Sequence, residues 1–437
     1  MQKINADIAG HVPEIRYGVE HCKVALLLSA ILLVPLRDVL VSCVDGYVSY
    51  GFARAVGISF WGLVFGFLFF IPFLCRLTLK KDMLLFFLVL LLGFVPFAMQ
   101  HTDELQPLSV VFAKTMFMAF PYYVVARSLK DYDLLEYALY GAAFFINIAV
   151  LVAMKSRVAA QGGYSMGLAY AALPGAIIAL RMLFQKRTFF HVLNVGMAVW
   201  ALVFCGTRGP MVCFALFGCY EIIRVLGAPR KISARKLLAA GSVAVILLSA
   251  SAWAYDSVSA FQEYAAAHGW SGRIFSHLIA GNFFQDPSRT DIRQAAWEVL
   301  QENSLTGVGL LEDRRQIFHR CLLNTDWAER HRDESYQGWY SHFVFLDWLL
   351  EYGVVWGGII SLTALFCTYR IFSLPRCAIK TCLEIFFFAG CCPLLFSGSW
   401  HEDRMFYIVL GLFVSAEEYR RVQKARDDGE RGFCVGS

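Results

Sequence analysis

The sequence predicts an all-α integral membrane protein with about 12 transmembrane helices and one long, partly helical external loop between spans 9 and 10. Composition supports this fold class, because 58% of the 437 residues are hydrophobic and the mean hydropathy is +0.54. Only 17% are charged, whereas soluble domains carry about 25%. The arrangement agrees, since the apolar residues form runs of roughly 17–25 residues, enough to cross about 30 Å of hydrocarbon.

The predicted spans follow the apolar runs in chain order. They cover residues 24–44, 55–75, 83–99, 108–126, 134–154, 164–184, 189–207, 209–226, 237–255, 342–369, 381–398 and 404–417. Most of the 13 cysteines lie inside these runs, where a thiol is a small packing group. Only Cys321 falls in the middle of a long polar segment, so a disulfide framework is not expected.

Lysine and arginine are concentrated in alternate loops, which hold 24 of the 39 cations. The positive-inside rule places these loops and both termini in the cytoplasm. The chain then divides into spans 1–9 (residues 1–255), an external loop (256–341), spans 10–12 (342–417) and a basic cytoplasmic tail (418–437).

The external loop is rich in arginine. Residues 256–341 contain eight arginines, no lysine and 12 acidic residues. Because the acids outnumber the cations, the loop is not a nucleic-acid-binding patch. A guanidinium group matches phosphate or carboxylate with two parallel hydrogen bonds, which lysine does not. These arginines either pair with the acids of the loop or bind an external anion.

Arg208 lies at the outer end of the seventh span, in the stretch "GTRGP" at residues 206–210. Glycine permits unusual backbone dihedrals and proline fits the first turn of a helix. The stretch therefore predicts a tight turn that opens the eighth span and holds Arg208 beside a helix N-terminus. That end of a helix favours anions. The residues alone leave two interpretations open: a phosphate site, or an arginine that reaches the membrane interface.

His342 stands where the external loop meets the tenth span. An imidazole titrates near neutral pH, so His342 is a candidate base; the alternative is an interfacial packing residue. Asp347 and Glu351 follow on one face of the same helix and are expected to meet cations of neighbouring helices, with Lys114 as one possible partner. Arg157, in the short predicted external loop "KSRVAAQGG", is a further cation that lies outside despite the inward bias of the charges.

Three stretches resemble the O-antigen ligase and O-antigen polymerase superfamily of bacterial envelope glycosyltransferases. "GTRGP" resembles the Ser/Thr-Arg-Gly turn of the family. "SRTDIRQAAWEVLQENSLTGVG", residues 288–309, is similar to its arginine, amphipathic helix and "PLxGVG" pattern, with Ser304 and Arg293 in place of a proline and an aromatic residue. "SHFVFLDWLLEYGVVWG", residues 341–357, is similar to its His-Asn motif, with Phe343 in place of a polar residue.

The resemblance implies a metal-independent transferase without a cofactor, in the bacterial cytoplasmic membrane with its active site facing outward. The donor would be a glycan on undecaprenyl diphosphate and the acceptor a glycolipid such as lipid A-core, with inversion at the anomeric carbon. The catalytic residues would be His342, Arg208 and Arg289. Arg157 and Arg293 would support binding of the diphosphate.

Two other functions remain open at this stage. A polymerase of the same superfamily would lengthen the glycan on its carrier; the single long external loop favours a ligase. A polysaccharide transporter or flippase would show paired halves and a long central cytoplasmic loop, and neither is visible in the sequence.

Overall fold

The computed structural model describes residues 12–44, 48–100, 105–160, 165–226, 263–264, 267–268, 271–280, 287–324 and 338–434. Within these residues the chain is helical and contains no strand. The all-α prediction is therefore confirmed for this part of the chain.

Ten of the described helices lie in the first half of the chain. They are α1 (Val12–Val44), α2 (Tyr50–Phe65), α3 (Ile71–Leu74), α4 (Lys81–Gln100), α5 (Leu105–Ala113), α6 (Phe120–Ser128), α7 (Tyr132–Ala160), α8 (Met166–Gln185), α9 (Phe189–Phe204) and α10 (Arg208–Leu226). Short π-helical segments, Gly66–Phe70 and Lys114–Ala119, connect α2 to α3 and α5 to α6.

The second half contributes six more described helices. They are α11 (Arg273–Ile279), α12 (Pro287–Glu302), α13 (Glu312–Asn324), α14 (Val344–Phe372), α15 (Ala378–Phe386) and α16 (Arg404–Cys434). A π-helical segment, Phe387–Cys391, and a 3₁₀ turn, Pro393–Leu395, follow α15.

Seven described helical stretches are long and apolar enough to cross a membrane, which confirms a polytopic membrane protein. They are Gly18–Val44, Gly51–Leu74, Leu108–Ser128, Tyr132–Met154, Met166–Gln185, Val344–Phe372 and Ala378–Leu395. The predicted spans 83–99, 189–207, 209–226 and 404–417 coincide with α4, α9, α10 and α16. The predicted span 237–255 lies outside the described residues, so the total of about 12 stays a prediction.

The chain forms two compact units. The first contains residues 1–30, 64–138 and 286–437, and the second contains residues 31–63 and 139–285. These units differ from the predicted segments because α12, α13 and the last helices group with the chain's early spans. The predicted boundaries of the external loop and the basic tail stay predictions.

Close packing of α6 against α16 organises the core of the first unit. Gly411 permits this approach, because a Cβ at that position would lie 2.6 Å from the carbonyl oxygen of Tyr123. Tyr407 and Leu412 are fully buried. Arg127, near the end of α6, is also buried and binds Asp82 and Glu418 at 2.7 and 2.6 Å.

Helices α8, α9 and α10 form the core of the second unit, where buried polar groups are paired. Arg181 binds Glu221 at 2.6 Å, and both side chains are fully buried. The amide of Asn147 donates to Oδ1 of Asn194 at 2.7 Å. Such pairs satisfy polar groups that would be costly to bury alone.

Helices α12 and α13, from the segment 256–341, pack as a small apolar core in the first unit. Helix α12 confirms the predicted helix "DIRQAAWEVLQEN", and its residues Ile292, Ala296 and Val299 recur at helical spacing on one buried face. This face packs against α13 and the beginning of α14, through Phe318 and Leu350 among others. The packing holds α12 beside the first turns of α14.

Candidate active site

His342 sits in a strained turn immediately before α14. Its φ is +57°, in the left-handed region that a residue other than glycine adopts at an energetic cost. Ser341 stabilises the turn: its Oγ donates to Asp347 Oδ1 at 2.5 Å and accepts from the backbone N–H of Phe343 at 3.1 Å. The backbone N–H of Ser341 donates to the same Asp347 oxygen at 3.1 Å. Asp347 thus fixes the backbone on which His342 is mounted.

Tyr340 connects His342 to the loop that precedes α16. The two rings are 4.3 Å apart between centroids. The Tyr340 hydroxyl donates to the carbonyl oxygen of Ser397 at 2.6 Å. Burial raises the pKa of Tyr340 to about 12, although the charges of Arg314 and Arg289 oppose the shift. Tyr340 is therefore a neutral hydrogen-bond donor at physiological pH.

Residues 396–403, which we call the strap, bind two arginines of the segment 256–341. Arg289, in the first turn of α12, donates from Nη1 to the carbonyl oxygen of Phe396 at 2.8 Å. Arg314, on α13, donates to Ser399 Oγ at 2.7 Å and lies 5.5 Å over the Tyr340 ring. The strap therefore gathers two guanidinium groups around the tyrosine that packs on His342.

Two side chains of the strap bind a buried acid of α14. Trp400 donates from Nε1 to Glu351 at 3.2 Å, and Nε2 of His401 is 2.7 Å from the other Glu351 oxygen. Burial and the charge of Arg314 lower the pKa of His401 to about 3. His401 is therefore a neutral imidazole hydrogen-bonded to Glu351.

Asp313, buried on α13, belongs to the same polar region. Burial raises the pKa of Asp313 well above its usual value, and Glu351 adds to this shift while Arg314 opposes it. The region thus contains several acids and one buried arginine, with little solvent to screen them.

Two glycines join the "SLTGVG" loop to α14. Gly353 interrupts α14 with a φ of +74° and a ψ of 170°. This break leaves the Leu350 carbonyl without its helical partner, and it accepts instead from the N–H of Val308 at 2.7 Å. Gly307 has a φ of +69°, and a Cβ there would collide with the backbone of Gly353. One close backbone contact therefore explains a glycine in each motif, Gly307 and Gly353.

Arg208 begins α10, as predicted, and this helix belongs to the second unit. The preceding turn contains Gly206 with a φ of +77°, and Pro210 lies in the first helical turn. Two backbone hydrogen bonds hold this turn: Ser165 N–H to Cys205 at 2.9 Å, and Ser271 N–H to the carbonyl of Phe204 at 3.1 Å. Arg208 is half-buried beside a fixed helix N-terminus.

Arg157 and Arg293 occupy helices. Arg157 was expected in a short loop, but α7 continues to Ala160; alanine, lysine and methionine around it favour the helical conformation. Arg293 is exposed on α12, one helical turn after Arg289, so the two share a face.

Sequence reasoning missed several site residues. Arg314 was one of eight arginines in the loop, and no motif distinguished it from the others. Its burial depends on tertiary packing, which the local sequence does not reveal. Trp400 and His401 lie in "SGSWHED", a short polar stretch between two apolar runs, and this composition was an available signal. Lys114 binds Glu402 at 3.0 Å, rather than the acids of α14 for which it was a possible partner.

Comparison with known families supports the resemblance. Residues 193–362 match the family model described as O-antigen ligase. The matched region contains all three stretches that carried the resemblance. It includes Arg208, Arg289 and His342, and it confirms the relation to the O-antigen ligase superfamily. No curated protein matches the chain.

Proposed function

We propose that the protein is an O-antigen ligase-like glycosyltransferase that moves a glycan from undecaprenyl diphosphate to lipid A-core or a similar acceptor. The reaction takes place at the outer face of the bacterial cytoplasmic membrane. The single observation that carries the proposal is the convergence of Arg289, Arg314 and the Tyr340–His342 pair on one strap.

The arginines suit a diphosphate leaving group. As the bond between the anomeric carbon and the diphosphate oxygen breaks, negative charge develops on that oxygen. Guanidinium groups that are already fixed stabilise this charge without reorganisation, and Arg289 is fixed by its 2.8 Å bond to Phe396. Arg293, on the same face of α12, extends the positive surface.

His342 is the proposed base. The acceptor hydroxyl forms its bond to the anomeric carbon while its proton passes to the imidazole. A single displacement of this kind inverts the anomeric configuration. The positive φ of His342 supports this assignment, because such strain is concentrated at functional sites.

Arg208 is proposed as a further diphosphate ligand. The observation that supports this role lies in the second unit, where two backbone hydrogen bonds hold the turn before α10. The N–H groups of a helix N-terminus and a guanidinium group both favour phosphate. Arg157 is a weaker candidate for binding the diphosphate, because its only support is its predicted external position.

Identification of the product tests the function. Purified protein in lipid nanodiscs is supplied with an undecaprenyl-diphosphate glycan, with and without lipid A-core. Glycan attached to lipid A-core is the expected product. Longer glycans on the carrier would instead establish the polymerase, and unchanged donor with movement across vesicles would establish a transporter.

A further inference from the structure

A cavity of about 680 Å³, lined by both charged and apolar side chains, lies within the first unit, and no residue of the strap lines it. It is formed by α1, the segment that follows α3, the end of α6 and the middle of α16. Its volume is within the range of sites that bind small molecules. None of the proposed catalytic residues lines it.

The cavity lies along α16, about four helical turns from the strap. At the strap, Lys114 binds Glu402 just before α16 begins; at the cavity, Arg127 binds Glu418. The interval from residue 404 to residue 418 corresponds to about 21 Å of helix. The two ion pairs, Lys114–Glu402 and Arg127–Glu418, therefore show that the cavity is well separated from the strap along this helix.

Cations outnumber acids around the cavity. Five basic side chains line it, and the lining acids are Glu20 and Glu418. The basic residues are Lys23, Arg76, Lys80, Arg127 and Lys130. Glu20 is held by Lys23 at 2.6 Å, and Glu418 is shared between Lys80 and Arg127. The lining therefore carries an excess of positive charge and suits an anion.

The walls of the cavity are partly apolar. Val19, Phe73, Leu77 and Leu129 line it beside the cations. Leu79, next to this lining, is 69% exposed. A ligand with a negative head and a hydrocarbon portion fits this combination better than a fully polar anion, because both parts find complementary surface.

We propose that this cavity binds the phosphate headgroup of an anionic phospholipid in the cytoplasmic leaflet. All five lining cations belong to the segments that the positive-inside rule assigns to the cytoplasm. Basic pockets between transmembrane helices on that side recognise anionic headgroups. Lys23 and Arg127, both buried, form the base of the site, and exposed Arg76 and Lys130 form its rim.

Thermal unfolding of the full-length protein in detergent tests the proposal. The probes are phosphatidylglycerol, phosphatidylcholine and inorganic phosphate at equal concentration. We expect phosphatidylglycerol to raise the Tm by several degrees and the other two to leave it nearly unchanged, since only the anionic lipid matches both the charge and the apolar wall.

Two double variants locate the effect. R76Q/K130Q removes two exposed rim charges and is expected to lose at least half of the phosphatidylglycerol shift. K186Q/R187Q removes two exposed cations that do not line the cavity and is expected to keep it. Equal losses in both variants, or an equal shift with phosphatidylcholine, would overturn the site. An equal shift with inorganic phosphate would overturn the lipid assignment.

Discussion

At the residue scale, the site depends on how His342 is held rather than on its presence alone. The sequence predicted its position before α14 and a possible role as a base. It did not predict the left-handed backbone, because that conformation is imposed by the bonds of Ser341 to Asp347. Asp347 therefore acts on His342 through the backbone of the Ser341 turn.

Removing the Asp347 carboxylate is expected to slow glycan transfer. In D347A the Ser341 turn loses its acceptor, and displacement of the base by about 1 Å costs about 10²-fold in kcat. D347N, which keeps an acceptor oxygen, should recover part of the rate. Steady-state kinetics in nanodiscs measure both variants, and KM for the donor should change little. An unchanged kcat in D347A would show that Asp347 does not position His342.

Asp313 gives a prediction about pH. Its folded-state pKa is raised by burial, so the folded protein retains a proton that the unfolded chain releases above about pH 4. The free energy of unfolding therefore falls as the pH rises from about 4 to the folded-state pKa of Asp313. D313N removes this penalty, and its gain in Tm over the unchanged protein should be larger at pH 7 than at pH 5. A gain that is the same at both pH values would contradict the raised pKa.

At the element scale, the break in α14 separates a part long enough to span the membrane from a part that packs against α12 and α13. From residue 354 to residue 372 the helix is about 28 Å long, close to the thickness of the hydrocarbon core. The first part, before Gly353, packs in the apolar core of α12 and α13. The sequence predicted one span from 342 to 369, because hydropathy does not show a reversal of backbone dihedrals. The glycines were visible in the sequence, but only the contact between Gly307 and Gly353 in the structure explains why glycine is needed there.

A methyl group at Gly353 should therefore damage the site. In G353A the added Cβ would collide with the carbonyl oxygen of Leu305 and the residue would be held at a φ of +74°. We expect the Tm to fall by several degrees and transfer to be lost. G358A, in the same helix, is the matched control, because a Cβ there meets nothing within 4 Å. Comparable Tm values for the two variants would contradict the docking of the loop on the break.

At the scale of the whole molecule, composition and charge pattern sufficed for the fold class. Hydropathy runs depend on local residues and found helices such as α8 and α14 directly. The grouping of α12 and α13 with α6 and α16 in one unit was not predictable, because it depends on long-range contacts. The same reason explains why Arg289 was identified by its motif and Arg314 was not.

The orientation is tested by cysteine labelling. In a background without exposed native cysteines, Q294C on α12 should react with a membrane-impermeant maleimide in cells whose outer membrane alone is permeabilised. K186C, between α8 and α9, should react only after the inner membrane is opened. Both native side chains are exposed, so access depends on the side of the membrane. The reverse labelling pattern would invert the predicted topology.

The central claim is that Arg289 and His342 act on a lipid diphosphate in one site. It is tested most directly by the initial rate of undecaprenyl diphosphate release during transfer in nanodiscs. We predict a loss of about 10²-fold or more for H342A and for R289A, with unchanged Tm. R320A is the control, because half-buried Arg320 pairs with Glu298 and Glu302 on α12 and does not bind the strap, and its rate should be retained. Wild-type rates in both H342A and R289A would contradict the account.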